Sequence, residues 1–151
     1  MRDNKYLENL LYNIWESYFC DVARLNLVTI NFGKHSKRQL GSIKWIKDRD
    51  TYERYLKKYN FNDSLFEHPS VSLITITRYF TYEYIPEYVI KATIIHELCH
   101  YTHGFSSPLE KIYIHPHRGG IIKKEFQQRG LLDIYIDSKR WIKDNWISVI
   151  S

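Results

Sequence analysis

Between Ile94 and Tyr101 the chain reads I-I-H-E-L-C-H-Y, which sets His96, Glu97 and His100 at the spacing H-E-x-x-H. Positions i and i+4 of an α-helix lie one above the other on a single face, so both imidazoles can reach one Zn²⁺ at about 2.0–2.1 Å. Val89, Ile90, Ala92, Ile94, Ile95 and Leu98 make the same segment apolar on nearly all sides, which predicts a helix buried in the middle of a domain. A Glu between two His in such a place is costly unless something satisfies all three groups, and a metal ion with its bound water does so. The competing reading is a chance match of a short pattern, with both histidines satisfied inside the core.

The flanks support a helix. Pro86 suits a first turn, Glu87 favours the positive helix end and Gly104 is a natural stop, bracketing about eighteen residues. In that setting Glu97 projects beside the metal. From there it can take a proton from a zinc-bound water whose pKa has fallen to roughly 7, for attack on a peptide carbonyl.

A chain of 151 residues fits one domain that buries about two-thirds of its unfolded surface. Its 44% hydrophobic residues, 26% charged residues and thirteen Tyr exclude disorder over most of its length. The net charge of +5 and pI of about 9.1 are compatible with a nucleic-acid partner and equally with an ordinary basic protein. Two cysteines, Cys20 and Cys99, are too few for a disulfide framework or a Cys₄ zinc ribbon. Cys99 reads as a small buried hydrophobe. Charges at Arg2, Asp3, Lys5, Glu8 and Glu16 interrupt the first twenty residues, against a signal peptide, and no apolar run spans a membrane. The expectation is a soluble cytoplasmic monomer with no membrane partner.

Taken in order, Leu7, Leu10, Leu11, Ile14, Trp15 and Tyr18 follow the spacing of an amphipathic scaffold helix over residues 3–20. Leu27–Phe32 alternates Val28, Ile30 and Phe32 with polar neighbours, predicting a half-buried strand, and Leu40–Trp45 predicts a second. Asp48–Asn60, dense in charge and Tyr, reads as a surface helix in an insertion between strands. Val71–Thr77 is a β-branched third strand, expected to be the edge that takes an extended peptide. After a loop over 105–116, His117–Gly130 reads as a further helix. The apolar segment 131–151 is too rich in Ile and Trp to be a loose end and is expected to pack on the core at about 25–130.

A catalytic zinc needs a third protein ligand and an open position for water. The metzincin extension fails, because His103 and Ser106 stand where it requires Gly and His. Glu110, Glu125, His115 and His117 all remain available. His103 lies one turn beyond His100, about 5.4 Å along the helix, and reads as a supporting or solvent-facing group. His35 and His68 read as surface residues. Tyr82, Tyr84, Tyr113 and Arg118 are candidates to stabilise an oxyanion.

The H-E-L-C-H motif, a loop of a dozen or so residues and then Pro116-His117-Arg118-Gly119 resemble SprT-like metallopeptidases. Ser36-Lys37-Arg38-Gln39-Leu40-Gly41-Ser42-Ile43 and Ile85-Pro86-Glu87-Tyr88-Val89-Ile90 are similar to the family's Leu-Gly strand and its approach to the motif helix. The resemblance covers roughly residues 25–130. It implies an α/β (α+β) zincin with a small, mostly three-stranded twisted sheet. It further implies one zinc ion on His96, His100 and His117, the last opening the next helix, and Glu97 as general base. It implies protein or peptide substrates, among them proteins bound to or crosslinked with DNA. Arg118-Gly119-Gly120-Ile121 departs from the family's usual Gly-x-x-aromatic continuation, and its cysteine ribbon is absent. Two alternatives stand beside this reading. One, with His115 as the rival to His117, keeps Glu125 as a third ligand of the minigluzincin kind, in a latent peptidase whose C-terminal segment lies over the cleft. The other is a DNA-associated module that keeps the metal without turnover.

Overall fold

The computed structural model describes residues 1–151, an α+β arrangement of five helices and one three-stranded mixed sheet. Helix α1 (Asn4–Tyr18) starts behind Asp3, whose carboxylate accepts the Tyr6 N–H at 2.9 Å and satisfies a donor the first turn leaves free. Its stripe of Leu7, Leu10, Leu11, Ile14 and Trp15 is buried, whereas Tyr18, expected to continue it, lies 40% exposed beyond the rim of the core.

Strands β1 (Leu27–Phe32), β2 (Gly41–Ile46) and β3 (Val71–Ile76) lie in the order β1-β3-β2. β1 runs parallel to β3 with Leu27 opposite Val71, and β2 runs antiparallel to it with Gly41 opposite Ile76. The strand expected at the edge, β3, is therefore central. Its two hydrophobic faces require two partners, and it has them. Ile74 and Ile76 face the large core formed with α1 and the motif helix, while Val71 joins Leu27 in a smaller one on the opposite side.

The expected surface helix between strands is present, and the smaller core shows what holds it. Helix α2 (Arg49–Tyr59) buries Tyr52 and Leu56 against the sheet, and only its other side carries the charge run. Asp48 caps it through the Thr51 N–H, and Asn60 closes it in the left-handed conformation. Likewise β1 is half-buried on neither face. Leu27 and Thr29 are covered on the α2 side and Ile30 and Phe32 on the other.

Helix α3 (Glu87–Thr102) is the motif helix and runs through the large core. Its end is a Schellman turn: the Gly104 N–H bonds to Tyr101 O at 3.1 Å and the Phe105 N–H to His100 O at 2.9 Å. Gly104 has φ +82°, and a Cβ there would meet Glu110 O at 2.2 Å, so the following loop closes tightly over the helix end. Helix α4 (Ile121–Gln128) begins later than expected, because Gly119 and Gly120 adopt φ of +75° and +65°. His117 precedes a short 3₁₀ turn rather than opening the helix itself.

Residues 131–151 form helix α5 (Leu132–Ile150), packed on α3 and α4. Trp146 anchors it by donating from its indole N–H to Lys37 O at 2.7 Å and meeting Tyr79 and Phe80 edge-on. No helix is long and apolar enough to cross a membrane.

Candidate metal centre

α3 turns His96 and His100 toward a cleft of about 930 Å³ bounded by β2, α3, α5 and the loop before α4. The loop delivers His117 to the same place. His96, His100 and His117 each offer a ring nitrogen, and these atoms all lie within 4.8 Å of one another. His96 Nε2 and His117 Nε2 are 3.4 Å apart, and the His100 ring centroid is 4.8 Å from that of His96 and 4.6 Å from that of His117. Three ligands at about 2.0–2.1 Å in a tetrahedral array stand about 3.4 Å apart, so the donor set fits one small divalent ion. The three histidines are close enough to bind it.

The electrostatics favour the same occupant. Burial, with help from the neighbouring His117 and Lys139, holds the pKa of His96 down to about 4, and burial with the other histidines holds His100 at about 3. Both rings are therefore neutral at pH 7, as metal ligands must be. His100 Nδ1 is buried with no hydrogen-bond partner, as is His103 Nδ1, so the convergence of the rings and not this atom marks the site.

Glu97, 5% exposed, has its pKa pushed up to about 7 by burial. Keeping it there costs on the order of 3 kcal/mol when ionised. Val89, Ile90, Ile94, Ile95 and Leu98 on the same helix are at most 1% exposed and contribute roughly 1.5–3 kcal/mol each, which outweighs that cost. Gly41 lets β2 lie close beside this carboxylate, since a Cβ there would stand 3.3 Å from Glu97 Oε1 and 2.7 Å from Thr93 Cγ2.

The chain matches no known protein family, no curated protein and no solved structure. Its site is defined by its own geometry.

His115, Glu110 and Glu125, the other third-ligand candidates, are not in the cluster. His115 pairs with Arg118 at 3.2 Å. Glu125 has both oxygens engaged, one with His103 Nε2 at 2.8 Å and the other with Arg129 Nε at 2.7 Å, and His103 with Arg129 holds its carboxyl below the usual range. His103 is fully buried rather than solvent-facing. Arg129 carries the connection on to Asp21 at 2.7 Å and to Tyr18 O at 2.6 Å, fastening α4 to the end of α1.

None of Tyr82, Tyr84, Tyr113 and Arg118 lines the cleft. Tyr82 and Tyr84 stack on each other, and Tyr113 packs edge-on against His103. Among the donors that do line it are Tyr135 and Lys139, both from α5. Their spacing at i and i+4 on a helix whose neighbours Phe126 and Ile142 also reach the cleft is the signal the sequence held for them.

Proposed function

We propose that this chain is a zinc-dependent endopeptidase with His96, His100 and His117 as ligands and Glu97 as general base. The observation that carries the reading is the convergence of three imidazoles around a point beside a buried carboxylate, in a cleft that a strand edge borders. Zinc, when bound, supplies Lewis acidity toward a scissile carbonyl and toward a water.

The chain's own residues supply the rest. Glu97, with a pKa near neutrality, accepts the proton of the attacking water at a carboxylate oxygen and returns it to the leaving amine. β2 offers its free edge to an extended substrate. This moves the role expected of β3 to β2, the one of the two edge strands that borders the cleft. Tyr135, half-buried in the wall of the cleft, is the donor for the oxyanion. The resemblance to SprT-like enzymes extends the proposal to proteins associated with DNA, which the +5 charge accommodates.

A second reading is favoured by one observation: α5 forms a wall of the cleft, as a latent peptidase with its C-terminal segment over the site requires. Deleting 131–151 separates the two. A plug yields higher activity on removal, whereas a wall anchored by Trp146 yields an unstable, inactive chain.

The test is zinc-dependent cleavage of an unfolded protein such as casein. Wild type is expected to cleave it and Glu97→Gln to retain zinc without cleaving. Equal cleavage by both would remove Glu97 from its role, and a zinc-loaded wild type with no cleavage of any unfolded protein would favour a binding module.

A further inference from the structure

The cleft is charged on one side of the ledger only. Arg38 on the approach to β2, and Lys139 and Lys143 on α5, are exposed residues that line it, and none of the three forms an ion pair. Glu97 is the single acid among the lining residues, and it sits buried at the floor. Lys139 and Lys143 are one helical turn apart and therefore on one face. Arg38 lies on the strand side of the cleft, so cations border it from both sides.

The backbone between them is also unspent. Thr77 N–H bonds to Leu40 O at 2.8 Å, which makes Leu40 and Thr77 a hydrogen-bonded pair in the antiparallel ladder. Pairing alternates along such a ladder, so Ser42 and Lys44 are turned to β3 while Gly41 and Ile43 point their N–H and C=O groups away from it. No backbone partner meets the outward groups of Gly41 or Ile43. Residues 38–43 line the cleft consecutively, which a strand does only when seen along its edge. A free edge of this kind adds a polypeptide strand. It gives a nucleic acid nothing regular to pair with.

We propose that the cleft selects acidic segments of polypeptide: an extended chain pairs with β2 at Gly41 and Ile43, and its Asp or Glu side chains are taken by Arg38, Lys139 and Lys143. The proposal rests on the peptidase reading of the cleft and adds the substrate class to it. Placing the cations at the walls leaves the metal ligands and Glu97 free of direct competition from the substrate's carboxylates, and like charge excludes basic segments.

The experiment measures binding of fluorescent peptides to the full chain carrying Glu97→Gln, by anisotropy at low and physiological salt, beside cleavage of the same peptides by wild type. The peptides share one sequence with Asp/Glu, Asn/Gln or Lys at the variable positions, and a single-stranded oligonucleotide of matched charge is included. The acidic peptide is expected to bind about tenfold more tightly than its amide counterpart, with the gap narrowing as salt rises. Lys139→Glu with Lys143→Glu, both at exposed positions, is expected to reverse the preference toward the Lys peptide. Cleavage or binding that ignores peptide charge overturns the proposal while leaving the peptidase intact. Acid-selective binding with no cleavage by wild type supports the selectivity and sinks the hydrolytic reading. An oligonucleotide that binds more tightly than the acidic peptide and displaces it overturns the proposal in favour of nucleic acid.

Discussion

His100 and His103 stand three residues apart on one helix, both buried, in opposite circumstances. His103 is paired: Glu125 accepts from it, Arg129 secures Glu125, and Asp21 secures Arg129, so its imidazole ends a chain of charges that ties three helices together. His100 faces two other imidazoles instead of a carboxylate, although the Nδ1 of each ring is buried without a partner. A ring whose Nε2 is already held by a carboxylate serves the fold, while one that converges with two other imidazoles on the cleft is placed for a ligand. The residue type is the same. The surroundings assign the role.

That contrast can be broken most forcefully by removing each histidine in turn. His100→Ala is expected to weaken zinc binding by roughly a thousandfold or more, read by competition with a chromophoric chelator, while His103→Ala keeps zinc at wild-type stoichiometry. If His103→Ala loses the metal as completely, the two histidines do not differ as described. In thermal or urea unfolding the ranking reverses. His103→Ala is expected to cost about 2 kcal/mol by leaving the half-buried Glu125 without one of its partners, and metal-free His100→Ala should cost less.

The pH dependence of the metal-free protein sharpens the same comparison. The folded-state pKa values of His96 and His100 lie below the ordinary value of 6.5, at about 4 and about 3. Their contribution is therefore present above pH 6.5 and lost as pH falls through those values. Glu97 runs the other way, its pKa raised from 4.5 to about 7, so its contribution is complete below pH 4.5 and lost as pH rises through 7. Urea unfolding at pH 8 should show metal-free Glu97→Gln more stable than wild type by about 2 kcal/mol, with the difference gone at pH 4. A wild type equal to the variant at pH 8 would place Glu97 in water rather than in the core.

The smallest effect expected is at Gly41. Gly41→Ala presses a methyl group on Thr93 and Glu97 and should leave zinc bound. It should also lower proteolysis several-fold by shifting β2 a few tenths of an ångström from the general base. Unchanged cleavage would argue that substrate does not lie on this edge.

Much of the fold was legible in the sequence wherever one residue's local chemistry decided the outcome. Pro86 and Gly104 bracket α3 because proline and glycine act on the backbone directly, and Leu27–Phe32 and Val71–Ile76 are strands by composition. Strand order was not legible. Nothing local in Val71–Ile76 says that β1 and β2 will flank it, so composition does not tell this central strand from an edge. α2 is legible as a surface helix from its charge and Tyr spacing, while the sheet face that Tyr52 and Leu56 cover is not. In the site, His96, Glu97 and His100 were fixed by their spacing on one helix. His117 could be drawn from resemblance alone, because a loop of uncertain path delivers it. The part played by α5 depends on packing 40 residues downstream of the motif, which spacing within the motif does not encode.

Zinc stoichiometry of the purified chain tests the central claim most directly, measured on wild type, His117→Ala and His115→Ala in parallel. One equivalent in wild type and in His115→Ala, lost in His117→Ala, is the predicted result. A wild type that binds no zinc, or zinc that survives His117→Ala at full stoichiometry, would contradict the site.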